Sequence, residues 1–429
     1  MRENESLAFA AVRKIYEARQ MKKQLRNIER ENEAKRGVVE YLPSQIEGFF
    51  DVNEPLGNVV FSGGDATIRA RAVAAAAACV FSNGYPVIVL HCGNVELERQ
   101  LQNTFAYSSM LVLINRGNAI YEPLTSLSNS EIGQLFVQTG TGMYTIPSGG
   151  KYYIEALAEF LRSKGIAPYC KMFFSCPHQR LPQVVDSAAA AGRIGQKSAQ
   201  QIKSLIMQGQ NYRGTIETYF SRLEQQSSQV MCGKSQIGRR ISLMSAAKQH
   251  LVISLDISAD TNDLLLNVIA SEVERIIASG IPVLLAVDDI SLSSNDSVAR
   301  LLHSSNSNFW RVVSSRDVYS MAGSNDAVFS DLVNSAQKIF ISSHSGISCN
   351  RWANVAGEYD KAEITQSFSS SNRFHSFFSI FPGQDNATNL TISQKREQII
   401  KPEEISKMAP NEIFVIDRVS QEIAHTTVV

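Results

Sequence analysis

Three things are scarce in this chain of 429 residues, and each scarcity excludes something. There is no net charge: Lys plus Arg and Asp plus Glu stand at 41 each, so overall charge points to neither nucleic acid nor membrane. There are six cysteines, at 79, 92, 170, 176, 232 and 349, and no two are spaced Cys-x-x-Cys. Several fall in apolar segments, where reduced, buried thiols are common. The expected compartment is therefore reducing, and the sequons at Asn386 and Asn389 carry no meaning there. No stretch approaches the ~20 apolar residues of a membrane span, and the charged N-terminal segment does not resemble a signal peptide. A cytoplasmic protein is expected, reaching the inner face of a membrane only through partners. Internal repeats are absent too.

What is present is an alternation of apolar runs and helical patterns. Strands are predicted at 58–62, 86–91 and 110–114, with helices at 66–82 and 94–104 between them. Near-continuous apolar runs separated by helices indicate a parallel sheet buried on both faces. Residues 150–248 change character: they are helical in pattern, rich in Gln and Ser, and basic. Sheet signals return at 250–256, 281–288, 310–314, 337–343 and 412–417, with a long amphipathic helix at 261–279. The Ser/Asn-rich stretch 365–395 reads as a loop or weak hairpin. The expected domains are a charged N-terminal helix (1–36), a first α/β part (37–149), an all-α insertion (150–248) and a second α/β part (249–429). The N-terminal helix carries Val12, Ile15, Met21, Leu25 and Ile28 at roughly helical spacing. Two readings fit it: a solvated surface helix, or a docking or coiled-coil helix through which copies self-assemble.

The segment Gly63-Gly-Asp-Ala-Thr-Ile-Arg-Ala70 joins the first of these strands to an alanine-rich helix. That is the layout of a phosphate-binding loop, G-x-x-x-x-G-K-[ST]. Gly63 stands at the first glycine and Arg69 at the lysine; Ile68 replaces the second glycine and Ala70 the magnesium-binding hydroxyl. Gly63, Gly64, Thr67, Arg69 and Ala70 are the candidate nucleotide-binding positions. Ile68 brings a Cβ into space where backbone amides approach phosphate. Arg69 offers a planar fork in place of a compact ammonium. ATP and magnesium are the cofactors implied, and these losses argue against efficient phosphoryl transfer. The other reading is a plain strand–helix corner.

The apolar run Ile281–Val287 ends in Asp288-Asp289, the pattern of a strand that orients magnesium through Asp288 and supplies a general base through Asp289. Acids also end buried strands at turns for structural reasons alone. His91-Cys92-Gly93 and the set Cys170, Cys176 and His178 do not match zinc spacings and read as packing, so no metal centre is expected. From Lys151 to His250 there are 14 Lys/Arg against 5 Asp/Glu. Arg239 and Arg240 are the candidate DNA-phosphate contacts there. The region lacks interleaved aromatics, and a solvated basic face is the other reading.

The order of these pieces over roughly 58–425 resembles the type IV secretion coupling-protein family, the TraG/TraD group related to the FtsK and HerA translocases. Tyr121-Glu-Pro-Leu124 is similar to the family's Asn-Pro-Leu turn, and Gly357-Glu-Tyr359 to its Gly-Glu after a short helix. The segment Ile400–Met408 resembles the family's last helix and Glu412–Ile416 its closing strand. Departures are the Leu90–Asn94 segment, the missing glutamine sensor at Val312–Asp317, and a charged helix in place of membrane helices. The resemblance implies a RecA-like P-loop NTPase fold with a mostly parallel sheet and an all-α insertion. It also implies assembly as a homo-oligomer or with related ATPase subunits and secretion or conjugation proteins. The expected role is that of a catalytically degenerate structural or adaptor subunit; the alternative is an unconventional ATP-driven DNA translocase.

Overall fold

The computed structural model describes residues 2–51, 56–106, 108–114, 119–232, 239–257, 263–293, 295–304, 306–370 and 386–429. Its strands, in chain order, are β1 (Val38–Glu40), β2 (Val59–Ser62), β3 (Val87–His91), β4 (Leu111–Ile114), β5 (Ala119–Tyr121), β6 (Arg239–Ile241) and β7 (Val252–Asp256). They continue with β8 (Val283–Asp288), β9 (Phe309–Ser315), β10 (Lys338–Ile341), β11 (Glu358–Ser370), β12 (Asn386–Gln398), β13 (Glu412–Asp417) and β14 (Glu422–Thr427).

Among the described residues one sheet of 12 strands runs β1-β14-β13-β10-β2-β9-β8-β3-β7-β4-β5-β6. Every neighbouring pair is parallel except β10 with β13 and β13 with β14. The central strands β2, β3, β7 and β8 are buried at every position, as a sheet covered on both faces requires. Alternate side chains feed two cores. Val59, Phe61, Val87, Val89, Leu284 and Phe340 pack on one face with the helix Ala66–Ser82. Its alanines let the helix lie close to the sheet. Val60, Ile88, Leu90, Ile253, Leu255 and Val287 feed the other face, with the helix Asp263–Ala278 and the insertion.

Helices Lys151–Ser163, Cys170–Phe174, Leu181–Ala190, Gln196–Gly209 and Arg213–Ser227 follow one another, and a π turn, Ser228–Cys232, ends the run. An aromatic cluster binds this region to the helix Asn129–Thr139, with Phe136 and Phe220 edge to face at 5.0 Å. Gln226 ties it to the sheet domain, its side-chain carbonyl accepting from the amides of Leu264 and Leu265.

Residues 358–370 and 386–398 form a separate antiparallel pair, β11 with β12, overlapping the stretch 365–395 that reads from sequence as loop or weak hairpin; residues 371–385 lie outside the described ones. The N-terminal helix Arg2–Arg36 rests against β11. The Asn32 amide exchanges two hydrogen bonds with the Ala362 backbone, at 2.9 and 2.8 Å, standing in for a strand neighbour. Arg36 closes the contact through the Ile399 carbonyl and Glu404. No described helix is long and apolar enough to cross a membrane.

Candidate functional site

The carboxyl ends of β10, β2, β9, β8 and β3 lie side by side, the crevice where open α/β sheets place ligands. Register sets Ser62 beside Ser315 and places Asp288 between Ser314 and His91. A cleft of about 830 Å³ opens there, lined by Gly64, Asp289, Arg316, Asp317 and His344 among others.

Gly63 and Gly64 both take left-handed conformations, φ 91° and 73°. The helix then starts at Ala66, so five of the eight positions from Gly63 to Ala70 are already helical. What remains is a turn of three residues rather than an open loop of backbone amides. Asp65 is the helix N-cap and its carboxylate accepts from the Thr67 amide at 3.1 Å. An anionic oxygen of the chain itself therefore stands at the helix's positive end, the place a phosphate would take. The Gly63 amide donates to the Ser315 carbonyl and the Asp65 amide to Pro410. The Thr67 amide is taken up by Asp65, and Ala70 is buried without a hydroxyl.

Arg69 is 5% exposed. Its Nη1 donates to the Gly64 carbonyl at 3.0 Å and its Nη2 to Asp289 Oδ2 at 3.2 Å, while Nε makes no hydrogen bond among the described residues. Asp289 sits at φ 52°, a conformation an aspartate tolerates, and its other oxygen accepts from Ser315 Oγ and the Arg316 amide. Cation and carboxylate thus satisfy each other across the turn.

Asp288 points elsewhere. It is fully buried, and Oδ2 accepts from Asn94 Nδ2 at 2.6 Å while Oδ1 has no partner among the described residues. Burial pushes its carboxyl above the ordinary range, with the Asn94 hydrogen bond opposing. The folded state thus holds the proton more tightly than the unfolded chain, and stability falls as pH rises through the folded pKa. Asp288→Asn is expected to stabilise the fold by about 1 kcal/mol near neutral pH. Melting curves check this: the gap to wild type closes as the pH is lowered, and a destabilised variant at neutral pH contradicts it.

Ser62 and His344 pin the turn from below. The Ser62 hydroxyl lies 2.8 Å from His344 Nε2 and accepts from the Val318 amide. His344 Nδ1 donates to the Ser342 carbonyl, and burial lowers the ring's pKa, so the histidine is neutral. Burial raises the nearby Asp317 carboxyl, but hydroxyls of Ser348 and Ser320 outweigh it and hold it below its usual value. Arg239 and Arg240 lie far along the sheet, on the edge strand β6, with exposed side chains.

Magnesium fits this set poorly. No hydroxyl follows Arg69, Asp288 is sealed behind Asn94, and among the described residues no group of three His, Cys, Asp or Glu side chains could hold a metal ion. Sequence reasoning overlooked Asp65, Asn94, Asp317 and His344. An aspartate directly before an alanine-rich helix is an N-cap signature that identifies the first of these; the others are long-range partners with no local signal.

The fold is the RecA-like α/β fold of the conjugative coupling proteins, with a large, mostly parallel sheet. Among solved structures, the bacterial conjugative coupling protein TrwBdeltaN70 in an unbound form superposes with a TM-score of 0.51 at 12% identity, over 87% of this chain and 84% of that one. Plasmid coupling protein TrwB in complex with the ATP analogue ADPNP gives 0.52 at 12% identity, over 87% and 85%. VirB4 of Thermoanaerobacter pseudethanolicus aligns over 92% of this chain and 97% of its own at 11% identity and a TM-score of 0.48. No protein-family model and no curated protein matches the chain.

Proposed function

We propose that this protein is a structural or adaptor subunit of a type IV secretion or conjugation machine, with the coupling-protein fold and without efficient ATP turnover. One observation carries the reading: the anion site is filled from within. Asp65 caps the helix where phosphate would sit, and the Arg69 guanidinium is committed to Gly64 and Asp289. A nucleotide would have to displace a carboxylate and break that ion pair before making its first contact. The likeness to a coupling protein seen with an ATP analogue supports the fold of such a machine. The partners proposed are further copies of this chain or related ATPase subunits, with secretion or conjugation proteins around them. Contact with DNA through the basic insertion belongs to the same proposal, as does a cytoplasmic position at the membrane's inner face.

Calorimetric titration of MgATP into the protein, followed by phosphate-release assays with and without DNA, tests it. The expected result is no saturable heat at ATP concentrations of about 1 mM, a Kd above which ATP association is worth less than ~4 kcal/mol, and no release above background. Binding that Arg69→Ala removes, with DNA-stimulated phosphate release that Asp288→Asn abolishes, would overturn the reading in favour of an active translocase.

A further inference from the structure

A second cleft, of about 660 Å³, opens between the turn after β5 and the segment 165–169 of the insertion. Arg240 of β6 enters it with the guanidinium carbon 4.1 Å from the centre of the Tyr169 ring. Stacking holds that planar fork in one orientation at little entropic cost. Among the described residues no hydrogen bond or ion pair engages the Arg240 guanidinium. Arg162 reaches the same cleft and donates through Nη2 to the Leu127 carbonyl. The Ser126 and Ser128 hydroxyls flank it, with Ser126 at φ 69°. Two arginines lining one cleft with donors to spare match the oxygens of a carboxylate or phosphate, the acceptors a planar fork binds in bidentate fashion.

The floor is Glu122, 2% exposed. Its oxygens accept from the Cys170 amide at 3.2 and 3.1 Å, and one also accepts from the Leu124 amide. Burial pushes its carboxyl up to about 7, with the Cys170 and Leu124 hydrogen bonds and Arg240 opposing.

We propose that this cleft binds a small organic oxyanion, a carboxylate or phosphate gripped by Arg240 with Arg162 as the second donor. The site is independent of the nucleotide reading: it lies at the β5–β6 edge of the sheet, whereas the turn at Gly63 follows the central strand β2. Charged and titratable groups face Glu122 from each neighbouring element. They are Tyr121 and Arg240 from the strands, Glu131 and Arg162 across the cleft, and Tyr169, Cys170 and Cys232 from the insertion, with Glu272 of the core helix bonded to Tyr121 behind them. Burial raises Tyr121, Cys170 and Cys232 and so keeps them neutral. Burial raises Glu272 as well, whereas the Ser128 hydrogen bonds hold Glu131 low and ionised. A bound anion favours the neutral form of Glu122, so binding tightens as the pH falls through about 7.

Sulfate and benzoate are suitable probes, since neither changes charge between about pH 6 and pH 8. Titration calorimetry on the full chain is expected to show saturable binding of at least one probe, several-fold tighter at the lower pH. Arg240→Gln weakens it by about tenfold or more, the loss of one charge-assisted hydrogen bond pair, and Arg240→Lys, which keeps the charge, fails to restore it. Preference for sulfate marks a phosphate ligand, and preference for benzoate a carboxylate one. No saturable binding of either probe to protein with a native circular dichroism spectrum, binding indifferent to Arg240→Gln, or affinity independent of pH overturns the proposal.

Discussion

Phe340→Ala is expected to cost about 4 kcal/mol of stability, among the larger effects a single core truncation gives. Phe340 is fully buried on β10, and three rings converge on it. Phe61 stacks at 5.4 Å and Phe50 at 5.6 Å, while Phe49 meets it edge-on at 5.8 Å. Alanine removes the transfer energy of a whole phenyl group and leaves a void between two strands and the segment Ile46–Phe50, none of which can collapse into it. Phe340→Leu retains most of the volume and is expected to lose less than about 1.5 kcal/mol. Thermal or urea unfolding of the pair reads the difference. Equal losses in the two variants would mean that this face of the sheet is not packed around the ring cluster.

Gly63→Ala is expected to cost about 3 kcal/mol, and the loss has two separable parts. The backbone at φ 91° penalises any Cβ by about 1–2 kcal/mol. The added carbon would also lie 2.5 Å from His344 Cε1 and 2.8 Å from the Ser343 carbonyl oxygen. The ring can yield, whereas the carbonyl belongs to the backbone leaving β10. A Gly63→Ala/His344→Ala double variant should therefore recover part of the loss and no more. Its unfolding, set against the two single variants, measures the coupling. Complete additivity would show that His344 does not brace the turn. In that arrangement the Gly63 and Asp65 amides donate to Ser315 and Pro410, and His344 fills the space beside Gly63.

The sheet's centre was legible because burial on both faces demands continuous apolar sequence. Runs such as 59–62, 87–91 and 283–287 can hardly be anything else. The rims were not legible. Strands β1, β5 and β6 have three residues each, too few for periodicity, and β14 (Glu-Ile-Ala-His-Thr-Thr) is mostly polar. Strands β11 and β12 are rich in Ser, Thr, Gln and Asn, and gain their order from each other and from Asn32, hundreds of residues away. In the site, glycine at 63 and acids at 288 and 289 show from spacing where the crevice lies. Which acid faces Arg69 does not show, because one residue beyond the strand end the chain turns left-handed at Asp289, which pairs with Arg69 while Asp288 meets Asn94. The early start of the helix at Ala66 is equally hidden until Asp65 is seen as its cap.

The order of strands also dictates when the chain can fold. β2 is made within the first 62 residues, yet its two neighbours, β9 and β10, lie at 309–315 and 338–341. β1 waits longer still, for β14 at 422–427. During synthesis the apolar β2 must remain without a lateral partner until most of the polypeptide has emerged, while β3, β4 and β7 have found one another. Closing such long loops is slow, and an unpaired central strand is a template for wrong pairing. The nascent chain is thus most exposed to aggregation late in translation, and a truncation just short of β9 strands it there permanently.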